Sequence, residues 1–419
     1  MKRLITVTAA CIAAALVFSC ASTSKAGNDK TEKKAESKAA SGKATKDGPL
    51  AEDAEEVKPV LATPTLKFDL GGNGTAEGWT AVSAKEAYDA EKGYGFNTPD
   101  NVQDVAAPGQ GELSTAVQFL TGSDSTDSDN TFNVDLEPGL YEIVVWSGDS
   151  FRQSICAEGY FQIMDLTGKN NCDYFRIPVT DGQLNIYARA GKEGEKFTLS
   201  AITIAKLSDD PTLPPTVWFC GDSTVCKYYP DPSAPYGVQY GRYGWGQVFD
   251  IFIKPEWYIR DMATGGQTAI GFFTSGQHDT VKKYIKKGDY YIIGIGINDQ
   301  GRKLPEMEYK MTIMRMVMDA KEVGAIPILV GQQGRKGDLG RGLQSRWYND
   351  TLRQLAQEQK IQYIDLFKLF DDYKESLARK KDGQEQIDAL YANEDLHISP
   401  KGAKKCAQLI AEQIPELKK

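Results

Sequence analysis

Apolar and polar positions change rhythm along this chain, and the changes divide it. Residues 4–18 are mostly apolar behind the basic pair Lys2-Arg3, whereas residues 21–64 are dominated by Ala, Lys, Ser, Glu, Asp and Gly. The second stretch has too few large apolar side chains to offset the entropy of ordering, and it reads as a disordered tether. From 65 to 206 the period is two. Residues 65–70, 131–136, 141–146 and 184–188 alternate, and Gly71-Gly72, Pro138-Gly139 and Asp181-Gly182 separate them as turns. Many short strands without a convincing helix predict a β-sandwich, a module suited to binding carbohydrate or to buttressing a neighbour. Pro211, Pro214 and Pro215 then stiffen a linker over 207–216.

From 217 to 419 the rhythm alternates between strand and helix. Near-continuous apolar runs at 217–220, 257–261, 290–295, 326–330 and 361–366 predict buried parallel strands. Helical spacing is clearest over 305–323, 344–358 and 399–414, with Pro305 suited to a first turn and Gly324 to a stop. The order implies an α/β fold, a doubly wound, flavodoxin-like parallel sheet of about five strands with helices on both faces. Sites in such folds gather beyond the carboxyl ends of the strands. Ser223, Gly266 and Asn298 each fall just after a predicted strand, which argues for a shared site.

Composition narrows the chemistry. A chain of 419 residues predicts two folded units, and 41% apolar with 25% charged residues is ordinary for a globular protein. A net charge of −8 gives no support for nucleic-acid binding, and two histidines exclude a His-rich zinc site. Residues 1–20 have the form of an export signal, and Val17-Phe18-Ser19-Cys20 resembles a bacterial lipobox, with Phe18 bulkier than usual. Cleavage there would make Cys20 the lipidated first residue of an exported, membrane-anchored protein, periplasmic or at the cell surface. Without Cys11 and Cys20, five cysteines remain, an odd number; Cys156 and Cys172 are the best-placed pair for a disulfide. Cys220 and Cys406 read as buried thiols.

Ser223 lies in Gly221-Asp222-Ser223-Thr224, where a buried strand turns toward a helix, and His397 lies in Asp395-Leu396-His397-Ile398-Ser399-Pro400. A serine on a sharp turn and a distant histidine are the minimum for nucleophilic acyl transfer. Gly221-Asp222-Ser223, Gly265-Gly266, Gly296-Ile297-Asn298-Asp299 and Leu396-His397 together resemble the four sequence blocks of the SGNH (GDSL-type) hydrolases. Within these, 215–419 is most similar to rhamnogalacturonan acetylesterases and related carbohydrate esterases, helped by Gly244-Trp245-Gly246-Gln247 and by 261–266. Phe68-Asp69-Leu70-Gly71 and Gly93-Tyr94-Gly95-Phe96 resemble the extra N-terminal β-domain of some such esterases.

The resemblance implies Ser223 as nucleophile, His397 as base, and an oxyanion hole from the Ser223 and Gly266 backbone N–H groups and the Asn298 amide. It also implies an acetylated carbohydrate substrate, with pectic rhamnogalacturonan as the family's suggestion, and no metal or organic cofactor. Two positions depart from the family's pattern. Ile297 stands where a histidine is usual, and the spacing Asp-x-x-His would place the acid at Glu394, with Asp395 only two residues before His397. Glu394 is the favoured partner and Asp395 the alternative. An acyltransferase acting on cell-envelope glycan and a non-catalytic carbohydrate-binding lipoprotein are competing readings.

Other residues suggest blander roles. His278 reads as a surface residue near a helix start, and Met307, Met311, Met314, Met316 and Met318 read as helix packing. Arg335, Lys336, Arg341 and Arg346 read as a solvated loop, Trp218 as core, and Tyr243 and Trp245 as cleft wall or as support for the nucleophile turn.

Overall fold

The computed structural model describes residues 60–72, 77–109, 113–120, 130–190, 197–230, 241–340 and 346–419. The leader with Cys20, most of the tether and Arg341 lie outside them. Among the described residues no helix is long and apolar enough to cross a membrane.

Among the described residues the first part is built of strands, with a 3-10 turn at Pro99–Asn101. It runs β1 (Leu66–Leu70), β2 (Thr80–Val82), β3 (Tyr94–Phe96), β4 (Val102–Ala106), β5 (Thr115–Phe119), β6 (Phe132–Asp135) and β7 (Gly139–Trp146). It continues with β8 (Asp149–Ala157), β9 (Tyr160–Lys169), β10 (Cys172–Val179), β11 (Gln183–Ala190), β12 (Thr198–Leu199) and β13 (Ala201–Ser208). These form sheets ordered β10-β7-β13-β1-β2, β3-β6-β11-β8-β9 and β12-β5-β4. Alternation supplies the apolar face that each large sheet presents to the other. Phe68 on β1 meets Phe132 on β6 edge to face at 5.2 Å, and Phe132 meets Phe96 of its own sheet at 5.2 Å, all three rings buried.

That arrangement corrects the disulfide expectation. Cys156 lies buried in β8 of one sheet, Cys172 lies exposed at the start of β10 in the other, and both thiols are free.

The second part contains β14 (Thr216–Gly221), β15 (Tyr258–Asp261), α1 (Ala269–Thr274), α2 (Gln277–Tyr284), β16 (Tyr290–Gly294), α3 (Ile297–Gly301) and α4 (Glu306–Glu322). Then come β17 (Ile326–Val330), α5 (Trp347–Gln359), β18 (Gln362–Ile364), α6 (Leu366–Ala378), α7 (Gly383–Asp388) and α8 (Pro400–Ala411). The strands are all parallel, in the order β15-β14-β16-β17-β18. Both faces are covered, which explains the continuous apolar runs. Trp218 and Cys220 of β14 join one core and Val217 and Phe219 the other; Tyr291 with Ile293 and Tyr290 with Ile292 divide the same way on β16.

Two of the blander readings need correction. His278 is 2% exposed rather than on the surface: its Nε2 lies 2.9 Å from Asp319 and its ring stacks on Phe273 at 4.9 Å. Burial pushes its pKa down against the pull of Asp319. On α4 the apolar stripe runs through Tyr309, Ile313, Met316, Val317 and Ala320, so Met316 is buried while Met307, Met311 and Met318 face outward.

Candidate active site

The strand order reverses between β14 and β16, and at that point the loops leaving the two strands diverge and open a crevice. Ser223 follows β14 and Asn298 follows β16, so topology brings both to one edge.

The turn carrying Ser223 is built by its neighbours. A Cβ at Gly221 would stand 2.3 Å from the Val225 side chain, so only glycine lets the turn close. The Asp222 carbonyl accepts from the N–H groups of Val225 and Cys226, both at 3.0 Å. The buried Asp222 carboxylate accepts from Thr224 N and Oγ1, each at 3.0 Å, and from Gln332 Nε2 at 2.6 Å. Ser223 is left half-buried at the apex, its carbonyl accepting from the Tyr228 hydroxyl at 2.8 Å. Trp245 supports the turn from below: its backbone N–H donates to Thr224 O at 3.0 Å and its ring packs on Phe219 at 5.1 Å.

His397 arrives from the far end of the chain on a short closed loop. Tyr391 and Ile398 form a bridge, Ala392 N donates to His397 O at 2.8 Å, and Tyr243 N donates to Ile398 O at 3.0 Å. The imidazole Nε2 lies 2.9 Å from Ser223 Oγ, and Nδ1 lies 2.7 Å from Glu394 Oε1. A carboxylate only accepts, so Nδ1 carries the proton and the Nε2 lone pair faces the serine hydroxyl. Arg242 pairs with the same Glu394 oxygen. Burial holds the His397 pKa below the ordinary histidine value, Arg242 adds to the effect, and Glu394 opposes both. Asp395 is directed elsewhere, accepting from Gly337 N at 2.9 Å with Arg335 at 3.9 Å.

Gly266 follows β15 with φ +73°, a backbone that side-chain-bearing residues rarely adopt. Asn298 Nδ2 donates to Gln267 O at 2.9 Å, which ties the third block to the second. Asp299 reinforces the tie by accepting from Ala269 N at 3.1 Å; burial raises its carboxyl pKa to about 7. Gln332, just past β17, links the third block to the nucleophile turn, its Oε1 accepting from Ile297 N at 2.8 Å while its Nε2 reaches Asp222.

Ser223, Gly265, Gly266, Asn298, Leu396 and His397 line one cleft of about 390 Å³. The same cleft is lined by Arg152, Asp165 and Thr167 from β8 and β9, and by Tyr228, Arg242 and Arg302, none of which belongs to a recognisable motif. Of the basic loop residues, Arg335 and Lys336 face Asp395 and Asp388, while Arg346 packs over Phe367 at 5.2 Å and is not solvated.

Comparison with known proteins covers both parts. Residues 219–405 match the GDSL-like lipase/acylhydrolase family, and residues 66–205 match the galactose-binding domain-like module of β-agarase/YxiM-type esterases. The chain is 44% identical to the uncharacterized esterase YxiM of Bacillus subtilis, over 83% of this chain and 90% of that one. It is 30% identical to the rhamnogalacturonan acetylesterase RhgT of the same organism, over 49% of this chain and 91% of that one. The crystal structure of B. subtilis YxiM superposes with a TM-score of 0.77 at 43% identity, covering 84% of this chain and 98% of that one.

Proposed function

The chain belongs to the GDSL-like lipase/acylhydrolase family and is a serine ester hydrolase; from that premise we propose that it removes acetyl groups from carbohydrate hydroxyls. The observation carrying the reading is the continuous relay from Ser223 Oγ through His397, at 2.9 Å, to Glu394, at 2.7 Å. In the proposed cycle His397 Nε2 takes the Ser223 proton as Oγ attacks the acetyl carbonyl, and Glu394 stabilises the imidazolium. The Ser223 and Gly266 N–H groups and the Asn298 amide hold the oxyanion, each such donor contributing roughly 3 kcal/mol to the transition state. Collapse expels the sugar alkoxide, which takes the proton from His397, and water then releases acetate from Ser223 by the same route.

Acetylated polysaccharide of the pectic type is the proposed substrate, because a relative sharing the catalytic part is a rhamnogalacturonan acetylesterase. Purified protein should release free acetate from acetylated rhamnogalacturonan and p-nitrophenol from p-nitrophenyl acetate. Ser223→Ala should lower both rates by about 10³-fold or more; equal turnover by the variant would sink the assignment.

The proposed location is a membrane surface, with the lipid on Cys20, a reading that rests on the leader pattern of residues 1–20. Radiolabelled palmitate should enter the wild-type chain but not Cys20→Ser. Equal incorporation, or none in either, would count against anchoring.

A further inference from the structure

We propose that Arg152 and Asp165 of the N-terminal β-part are positioning residues that set the direction of the Gly266 N–H, so that the oxyanion hole is completed by the β-part. The inference rests on the esterase reading above.

The pair is buried, with side chains 9% and 10% exposed and 2.7 Å between Arg152 Nη2 and Asp165 Oδ2. Both residues adopt left-handed backbone, φ +51° and +54°, where the β8–β9 register shifts. Such irregularities cost energy and re-aim side chains, and here they direct both groups at one glycine. Arg152 Nη2 donates to Gly265 O at 3.0 Å, and Gly265 N donates to Asp165 Oδ2 at 3.2 Å. Thr167 Oγ1 holds the arrangement by accepting from Arg152 N at 2.9 Å.

Gly265 O and Gly266 N belong to one peptide group. In a trans peptide the C=O and N–H lie in one plane and point in opposite directions, so fixing the oxygen fixes the hydrogen. Arg152 therefore orients the Gly266 N–H, and its charge polarises that peptide toward stronger donation. Two consecutive glycines would otherwise permit the plane to rotate. Arg302 secures the next plane by donating to Gly266 O at 2.8 Å.

The test compares Arg152→Lys and Asp165→Asn with wild type. With p-nitrophenyl acetate each should lower kcat by about 10-fold or more while KM stays within about twofold, as expected for loss of an interaction made only in the transition state. Affinity for an alkylboronic acid, which forms a tetrahedral adduct on Ser223, should fall by the same factor, and the acid limb of the pH profile should not move. The double variant Arg152→Met/Asp165→Leu removes both charges together and supplies the same readout if a lone buried charge prevents folding. Folded variants with wild-type kcat, or with a raised KM and unchanged boronate affinity, would overturn the positioning role alone. A wild-type protein inactive on every acetyl ester would overturn the esterase reading and this inference together.

Discussion

Glu394 and Asp395 are adjacent acids with separate partners. Glu394 lies three residues before His397 and accepts from its Nδ1, whereas Asp395 accepts from the Gly337 N–H on a neighbouring 3-10 turn. Glu394→Gln should reduce kcat/KM by roughly 10²- to 10⁴-fold, because an amide cannot stabilise the imidazolium. Asp395→Asn should leave it within about threefold, since an exposed partner is lost and nothing in the relay moves; steady-state kinetics on p-nitrophenyl acetate checks both. The pH dependence follows from the electrostatics. The proposed cycle needs neutral His397, and burial with Arg242 holds its pKa below the ordinary value, so kcat/KM should keep its plateau to below about pH 6.5 before falling. Removing the cation with Arg242→Leu leaves Glu394 to favour the imidazolium, so the acid limb should move to higher pH. A limb that stays put or moves lower would contradict this account.

The elements around the site behave as supports for three loops. β14 delivers the nucleophile turn, β15 the glycine pair, and β16 the Asn298 turn, while Gln332 past β17 ties the first to the third. Gly244 shows how tightly the nucleophile turn is seated. A Cβ there would lie 2.1 Å from Cys226 O and 2.2 Å from Val225 O, both backbone atoms that cannot swing aside. Gly244→Ala should therefore destabilise the protein by roughly 3 kcal/mol or more, the upper end of overpacking costs, and lower activity as Ser223 shifts. Urea unfolding would measure the first, and a wild-type midpoint would refute the packing argument. α8 contributes differently: Ser399 caps its first turn by accepting from Gly402 N at 3.2 Å, which anchors the residue two places after His397.

Across the molecule, the sandwich and the parallel sheet are joined by polar groups that neither could satisfy alone. Arg260 on β15 is 2% exposed, lies over Trp218 at 5.0 Å, and donates to Phe161 O, Arg176 O and Gln162 Oε1 of the β-part. Burial pushes its pKa down, so this cation is held by carbonyl oxygens and an aromatic face. Phe161 N donates to Thr280 Oγ1 at 3.1 Å and Arg176 N to Tyr258 OH at 2.9 Å, so the junction also runs through backbone groups. The β-part is thus seated firmly enough for Arg152 and Asp165 to act on the cleft.

Local pattern was sufficient for much of this. Buried strands announce themselves by continuous apolar runs, so 326–330 matches β17 to the residue and 217–220 lies within β14. The positions of Ser223, Gly266 and Asn298 just past strand ends, where they line one cleft, are legible because a turn after a strand demands particular residue types. Local pattern misjudges His278 and the outward methionines, because burial depends on which neighbour covers a helix face. It also pairs Cys156 with Cys172, which belong to different sheets. Arg152, Asp165 and Gln332 carry no local mark at all: an ordinary charged or amide side chain acquires its role from what the fold sets opposite it, and those contacts span 113, 100 and 110 positions of chain. Short-range sterics and hydrophobic spacing act within a few residues and can be read from order alone, whereas the partner of a buried polar group is chosen by packing between distant segments.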